Sequence, residues 1–240
     1  MARPGPIVAA TYPFRGLAFL ARRRHLWPLA AAPFLLNLVL YAAAVALFAF
    51  SVPWLFERLA PGEGPGAWRG VARALTGLAI VAGGLLVMAL SYTAVGALVA
   101  APFLERLARR TLEDLGVPIA GAERSLPAIL TQQARQVGVF LVVEGGLLAL
   151  WIVPVLGGIL QTVGGAWFAC VWITREFVQS PLECLGRPAG EEFRFVRAHH
   201  AISIGFGGSI LFVSLVPLVG YMILPAAAVG GALLVRDCEP

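Results

Sequence analysis

Lysine is missing from this chain: all 18 of its basic residues are arginine. That reads as genome composition before function, yet arginine differs from lysine at an anion site because its planar fork grips an oxyanion bidentately. Charge of either sign is scarce, 13% of residues against 59% hydrophobic, and the mean hydropathy is +0.84. A water-soluble globule of 240 residues has no room to hide that much apolar surface, so the soluble classes are excluded and an integral membrane protein remains. Only three cysteines occur, Cys170, Cys184 and Cys238, an odd number without CxxC spacing, so neither a disulfide framework nor a thiolate metal site follows. His199 and His200 stand in a polar linker without a matching ligand pair, which leaves no metal site. No Ser/His/Asp set or paired carboxylates share a plausible pocket, and no strand precedes Gly205-Phe206-Gly207-Gly208; catalysis, nucleotide binding and a cofactor are without support. The net charge of +5 is carried beside apolar segments, where anionic headgroups lie, and so speaks for membrane topology rather than nucleic acid. Residues 1–25 lack an apolar h-region, so no cleavable signal is expected before the first span.

Long apolar runs are what the chain does have. Two of them carry related interruptions, Ile152-Val153-Pro154-Val155-Leu156-Gly157 and Leu215-Val216-Pro217-Leu218-Val219-Gly220. Each places glycine three residues after proline and each follows a Gly-Gly pair, Gly145-Gly146 or Gly207-Gly208. Breaks at matching points of two apolar repeats free backbone polar groups at membrane depth, and they predict the tips of two helical hairpins along a solute path. The five glycine pairs along these repeats also suit close helix packing.

Taken in order, residues 1–25 form an amphipathic N-terminus, with Phe14, Leu17, Leu20 and Ala21 at helical spacing. Residues 26–56 are a first span, with Asn37 its polar exception. Pro61-Gly62-Glu63-Gly64-Pro65-Gly66 reads as an exposed loop. Residues 78–104 are a second span, continuing as an amphipathic rod that stops at Gly116-Val117-Pro118. A short helix is expected from about Ser125 into Val137. Residues 137–175 make the first hairpin and residues 201–235 the second, whose return arm Pro225 cuts again. The arm from Val137 to Val153 covers about 25 Å at 1.5 Å per residue, less than a core about 30 Å thick, so partial penetration is expected. The fold class is therefore an all-α integral membrane domain occupying residues 1–240, two long spanning helices and two Pro/Gly-tipped, partly penetrating hairpins joined by amphipathic linkers. If the hairpins return to the side they left, 15 arginines lie on one side and three on the other, which puts the termini and linkers in the cytoplasm.

Pro33-Phe34-Leu35-Leu36-Asn37, Ala101-Pro102-Phe103, Pro154-Val155-Leu156-Gly157 with Gln161-Thr162-Val163, Phe206-Gly207, Val216-Pro217-Leu218 and the run from Leu224 to Ala232 stand in the order seen in the CysZ-like family. From about Phe14 to Val235 the chain resembles that family, which includes the etoposide-induced membrane proteins of eukaryotes. The ordered set carries the resemblance, since no single motif is specific. It implies spanning helices and partly penetrating hairpins assembled into dimers or larger homo-oligomers. For one branch it implies sulfate uptake through the bacterial inner membrane, channel-like and without an ATPase domain. In that branch a Gly-Leu-Arg-Arg element ahead of the first span binds sulfate; the corresponding positions here are His25-Leu26-Trp27-Pro28.

The expected function is a permease for a small inorganic anion, sulfate by resemblance. The alternative is a non-transporting membrane scaffold or stress-related protein of the same fold. Arg22, Arg23, Arg24 and His25, one turn ahead of the family element, either bind a divalent oxyanion by charge-assisted hydrogen bonds or rest among headgroups as topology determinants. Glu105 and Arg109, spaced i, i+4 beside Arg106 and Arg110, either line an anion vestibule or form a solvated helix face. Glu144 is the sole carboxylate inside an apolar run, a candidate for pore lining, proton relay or pairing with an arginine. Pro154, Gly157, Pro217 and Gly220 complete the expected pore and gating set.

Overall fold

The computed structural model describes residues 4–60, 67–122, 124–149, 156–188 and 190–239. Every regular element among them is helical: α1 (Pro6–Ala9), α2 (Tyr12–Arg22), a 3-10 turn at Arg24–Leu26, α3 (Trp27–Leu59), α4 (Ala67–Asp114), α5 (Leu126–Ala149), α6 (Leu156–Cys184), α7 (Glu191–Ala198), α8 (His200–Ser214) and α9 (Pro217–Cys238). The chain divides into two compact units, one made of residues 1–32 and 101–240, the other of residues 33–100.

The smaller unit holds parts of α3 and α4. Two of its stretches are long and apolar enough to cross a bilayer, within Arg24–Leu59 and Trp68–Val87; 6% of the most apolar part of the first is buried and none of the second. Helices whose apolar side chains find so little protein are suited to lipid as their solvent. Contact between them falls at Phe56 beside Gly77, Phe48 beside Gly84 and Asn37 beside Gly96, an antiparallel register in which small residues of α4 face larger ones of α3. Asn37, the polar exception of the first run, is buried here. α4 starts before the expected second span and runs unbroken for 48 residues, covering the expected span and the amphipathic rod together.

The larger unit is built around α9, whose residues from Ala226 to Val235 are buried without a break. Pro225 does not cut this helix: α9 runs through it from Pro217 to Cys238. The missing N–H costs one ladder bond, and the packing of ten buried residues beyond it outweighs that loss. α2 lies on α9 by way of Gly16, set against the Ala226 carbonyl and the Gly230 amide, while Gly230 meets the Tyr12 carbonyl in return. A side chain at either glycine would hold the backbones apart. α6 and α8 complete the packing around α9, and Thr174 Oγ1 donates to the Ser203 carbonyl at 2.6 Å between them.

Two helix ends in this unit share one design. After α4, Gly116 takes φ 71°, its amide bonds the Glu113 carbonyl at 2.9 Å and the Val117 amide the Leu112 carbonyl at 3.0 Å; after α6, Gly186 at φ 77° repeats the pattern with Glu183 and Leu182. This is the left-handed glycine cap that satisfies the last carbonyls of a helix, and it ends the rod where the sequence places its stop. The chain following α4 then docks on α6, since the Ala120 and Gly121 amides both bond the Cys184 carbonyl, at 3.1 and 2.9 Å.

The hairpins appear as α5 with α6 and α8 with α9. α5 is one helix from Leu126, with no separate short helix ahead of Val137. Phe140 stacks on Phe168 at 6.0 Å, and Gln133 reaches Glu176, so α5 and α6 run antiparallel. The first tip, with Pro154, lies outside the described residues; Gly157 is in the first turn of α6. The second tip is a two-residue link, and Pro217 opens α9 at a position where its missing N–H costs nothing. Gly220 sits 3.0 Å, by the place a Cβ would take, from Ser214 Cα, which lets the arms close. Around this tip Phe212, Leu215, Val216 and Met222 are exposed.

Candidate functional site

At the end of the first hairpin away from its tip, two helices turn polar in step. On α5 the residues Ile129, Gln132, Gln133 and Gln136, and on α6 Glu176, Gln179, Ser180 and Glu183, fall at i, i+3, i+4, i+7, which puts each set on one helix face. The faces meet: the Gln136 amide donates to Gln179, the Gln179 amide to Glu183 at 2.9 Å, and Gln133 approaches Glu176 at 3.5 Å. All of them but Glu183 line, with Glu105, Ala108 and Phe177, a cleft of about 60 Å³.

Arg124, one residue before Ser125 and the start of α5, closes the mouth of this cleft. Its Nε and Nη2 grip the Glu105 carboxylate at 3.1 and 2.6 Å, and its Nη1 reaches Gln132 Oε1 at 2.5 Å and Glu183 Oε2 at 2.8 Å. Burial alone would lower the affinity of the guanidinium for its proton, but the Glu105 hydrogen bonds and the Glu183 charge outweigh it, and the group is held protonated. Burial lifts the Glu183 carboxyl above the usual carboxylate range, against the pull of Arg124, and Glu176 is lifted by burial too, against its Gln133 hydrogen bond and the Arg175 charge. The neighbouring Cys184 thiol is pushed up to about 11 by burial.

Arg124 also borders a basic vestibule of about 330 Å³, lined by Glu105, Arg106, Arg109, Arg124, Ser125, Leu126 and Ile129. Arg109 donates to the Gly121 carbonyl at 3.1 Å and stands 3.7 Å from Glu113. Arg106 is exposed and has no ion-pair partner among the described residues. Arg124 is held by Glu105 and Glu183 and Arg109 stands beside Glu113, so the positive charge left over at the cavity is that of Arg106, to which the first turn of α5 adds its dipole.

Of the expected site residues, Glu105 and Arg109 share this vestibule, but not as a pair: Glu105 is taken by Arg124 and Arg109 by Glu113 and Gly121. The Arg22 to His25 cluster is divided. Arg23 and His25 converge on one Asp114 oxygen, at 2.6 and 2.9 Å. Burial would raise that carboxyl, yet the Arg23 hydrogen bond and the His25 charge hold it below the usual range. Arg22 is exposed, and Arg24 lies 6.0 Å from the Trp27 ring. Glu144 is on α5 with its side chain outside the described set. Gly220 lines neither cavity. Arg124, Glu176, Glu183 and the glutamines were not singled out by sequence, although the i, i+3, i+4, i+7 spacing of the glutamines and of the two carboxylates on facing helices is a readable signal. Among the described residues no group of three or more His, Cys, Asp or Glu is placed to hold a metal ion.

The chain is 28% identical over 155 residues to the sulfate transporter CysZ of Pseudomonas fluorescens strain Pf-5, covering 60% of each chain. It is 25% identical over 215 residues to that of strain Pf0-1, covering 84% of this chain and 82% of the other. The model of the family described as Sulfate transporter CysZ/Etoposide-induced protein 2.4 matches residues 12–225, and with that length of match the chain belongs to this family.

Proposed function

We propose that the chain is a membrane permease for a small oxyanion, with sulfate, named for its relatives, as the substrate. The observation that carries this reading is the vestibule, where Arg106 and Arg109 stand beside an arginine held by two carboxylates. A dianion entering from the cytoplasmic side meets Arg106 first, and no existing ion pair has to break for it to bind. Passage beyond Arg124 requires exchange, the oxyanion taking the place of one carboxylate while Glu105 or Glu183 keeps the other contact. The glutamine amides behind it offer neutral donors, which bind an oxyanion without holding it too tightly to leave.

The hairpins complete the path in this reading. The exposed apolar residues at the second tip support its entry into lipid, and the break at Pro217 leaves backbone groups for a solute, as the sequence expects of the Pro154 stretch in the first hairpin. The arginine distribution supports an inner-membrane protein with cytoplasmic termini, and the family resemblance supports a homo-oligomer. A non-transporting member of the family is the second reading. It is favoured by Arg23 and His25, which are both engaged by Asp114 near the place where transporting relatives carry their arginine pair.

Sulfate uptake into proteoliposomes decides between them. Uptake above that of empty vesicles, reduced in Arg106→Gln, is the expected result. Flux equal to that of empty vesicles would leave the scaffold reading in its place.

A further inference from the structure

α2 has two apolar faces. Tyr12, Gly16 and Leu20 are buried against α9, while Phe14, Leu17, Ala18 and Ala21, again at i, i+3, i+4, i+7, are exposed on the other side. Arg15 and Arg22, seven residues apart, lie along one edge of the exposed stripe. Beyond the helix, Arg24 and Trp27 follow at the start of the first span. Trp27 is 51% exposed and donates its indole N–H to the Leu20 carbonyl at 2.9 Å, which fixes the ring at the end of α2 beside Arg24. None of Arg15, Arg22 and Arg24 has a carboxylate partner among the described residues, whereas Arg23 between them is neutralised by Asp114.

We infer that this face of α2, with Arg15, Arg22, Arg24 and Trp27, binds the headgroups of anionic phospholipids. Three unneutralised guanidinium groups bordering an apolar stripe match a phosphate plane above acyl chains, with the stripe in the chains and the arginine stems reaching up to the phosphates. The tryptophan at the start of a span is where the interface lies. A free oxyanion fits the arrangement less well, because Arg15 and Arg22 are set about 10 Å apart along the helix, too far to clamp one tetrahedral ion, and an ion leaves the stripe uncovered. The inference stands apart from the permease reading, since the surface has a role whether or not the protein transports.

Native mass spectrometry of the full chain, released from mixed phosphatidylglycerol and phosphatidylcholine micelles, tests it. The wild-type chain is expected to retain phosphatidylglycerol in preference to phosphatidylcholine. Arg22→Gln combined with Arg24→Gln lowers that retention roughly tenfold or more, and Arg110→Gln with Arg187→Gln, an equal charge change at arginines already paired with Glu113 and Glu239, leaves it within about twofold. Equal retention of the two lipids, an equal fall in the control variant, or displacement of phosphatidylglycerol by millimolar sulfate would overturn the inference, the last making this a soluble-anion site. On the unaltered chain, the preference falls as sodium chloride is raised; a preference indifferent to salt overturns it as well.

Discussion

Arg124 joins chain segments that sequence order keeps far apart, and its removal shows what the junction is worth. With Arg124→Ala, Glu105 and Glu183 face each other without a cation, at 15% and 18% side-chain exposure. Breaking a fully buried pair costs 3–5 kcal/mol, and the residual exposure brings this to about 2–3 kcal/mol. A drop in melting temperature of roughly 5–10 °C in detergent is expected, with a smaller drop for Arg124→Lys, which keeps the charge and loses the fork. Glu176 gives a pH signature. Its folded pKa is raised, so the folded state holds the proton more tightly, and the stabilisation is complete below the ordinary value of 4.5 and lost as pH climbs through the folded one. Glu176→Gln is expected to flatten the fall in melting temperature between pH 5 and pH 8; an unchanged slope would show that this carboxyl is not the group responsible. None of the Arg124 pairings was legible in the sequence, because Glu183 comes within reach only once the chain after α4 has docked on the end of α6. The stop at Gly116 was legible, since a left-handed cap needs that residue type at that place.

At the scale of elements, α2 depends on the fit of Gly16 and Gly230 against the opposing backbone. Gly16→Leu is expected to destabilise by about 1–3 kcal/mol through overpacking, read as a lower melting temperature, whereas Ala18→Leu on the exposed stripe leaves it nearly unchanged. Equal effects would mean that α2 is not seated on α9 by this seam. The sequence placed apolar residues on α2 at helical spacing but could not say that Leu20 faces protein while Phe14 and Leu17 face outward, since both faces are apolar and only the glycine marks the buried one. The turn between α8 and α9 was easier to read, since Pro217 suits the first turn of a helix, whereas α5 and α6 run well beyond the 137–175 read from the sequence. Pro225 misled because a proline in an isolated helix predicts a break, and burial of the ten residues after it decides otherwise.

For the whole molecule, hydropathy made the long helices plain, and the family likeness made their order plain. The vestibule was partly legible, as a basic end to the second span. If it draws anions by its field, Arg106→Gln should lower the initial rate of sulfate uptake about 3- to 10-fold at low ionic strength, and the gap from wild type should narrow at high salt as the field is screened within a Debye length. A gap that persists at high salt would point to direct coordination instead of attraction.

One small detail in the larger unit bears on how such a protein moves. The amides of Ala120 and Gly121 share a single carbonyl, that of Cys184. A latch of this kind ties the stretch after α4 to the last turn of α6, and because Arg109 donates to the Gly121 carbonyl, the Arg109 side of the vestibule and the Glu183 turn are fastened through the same two residues.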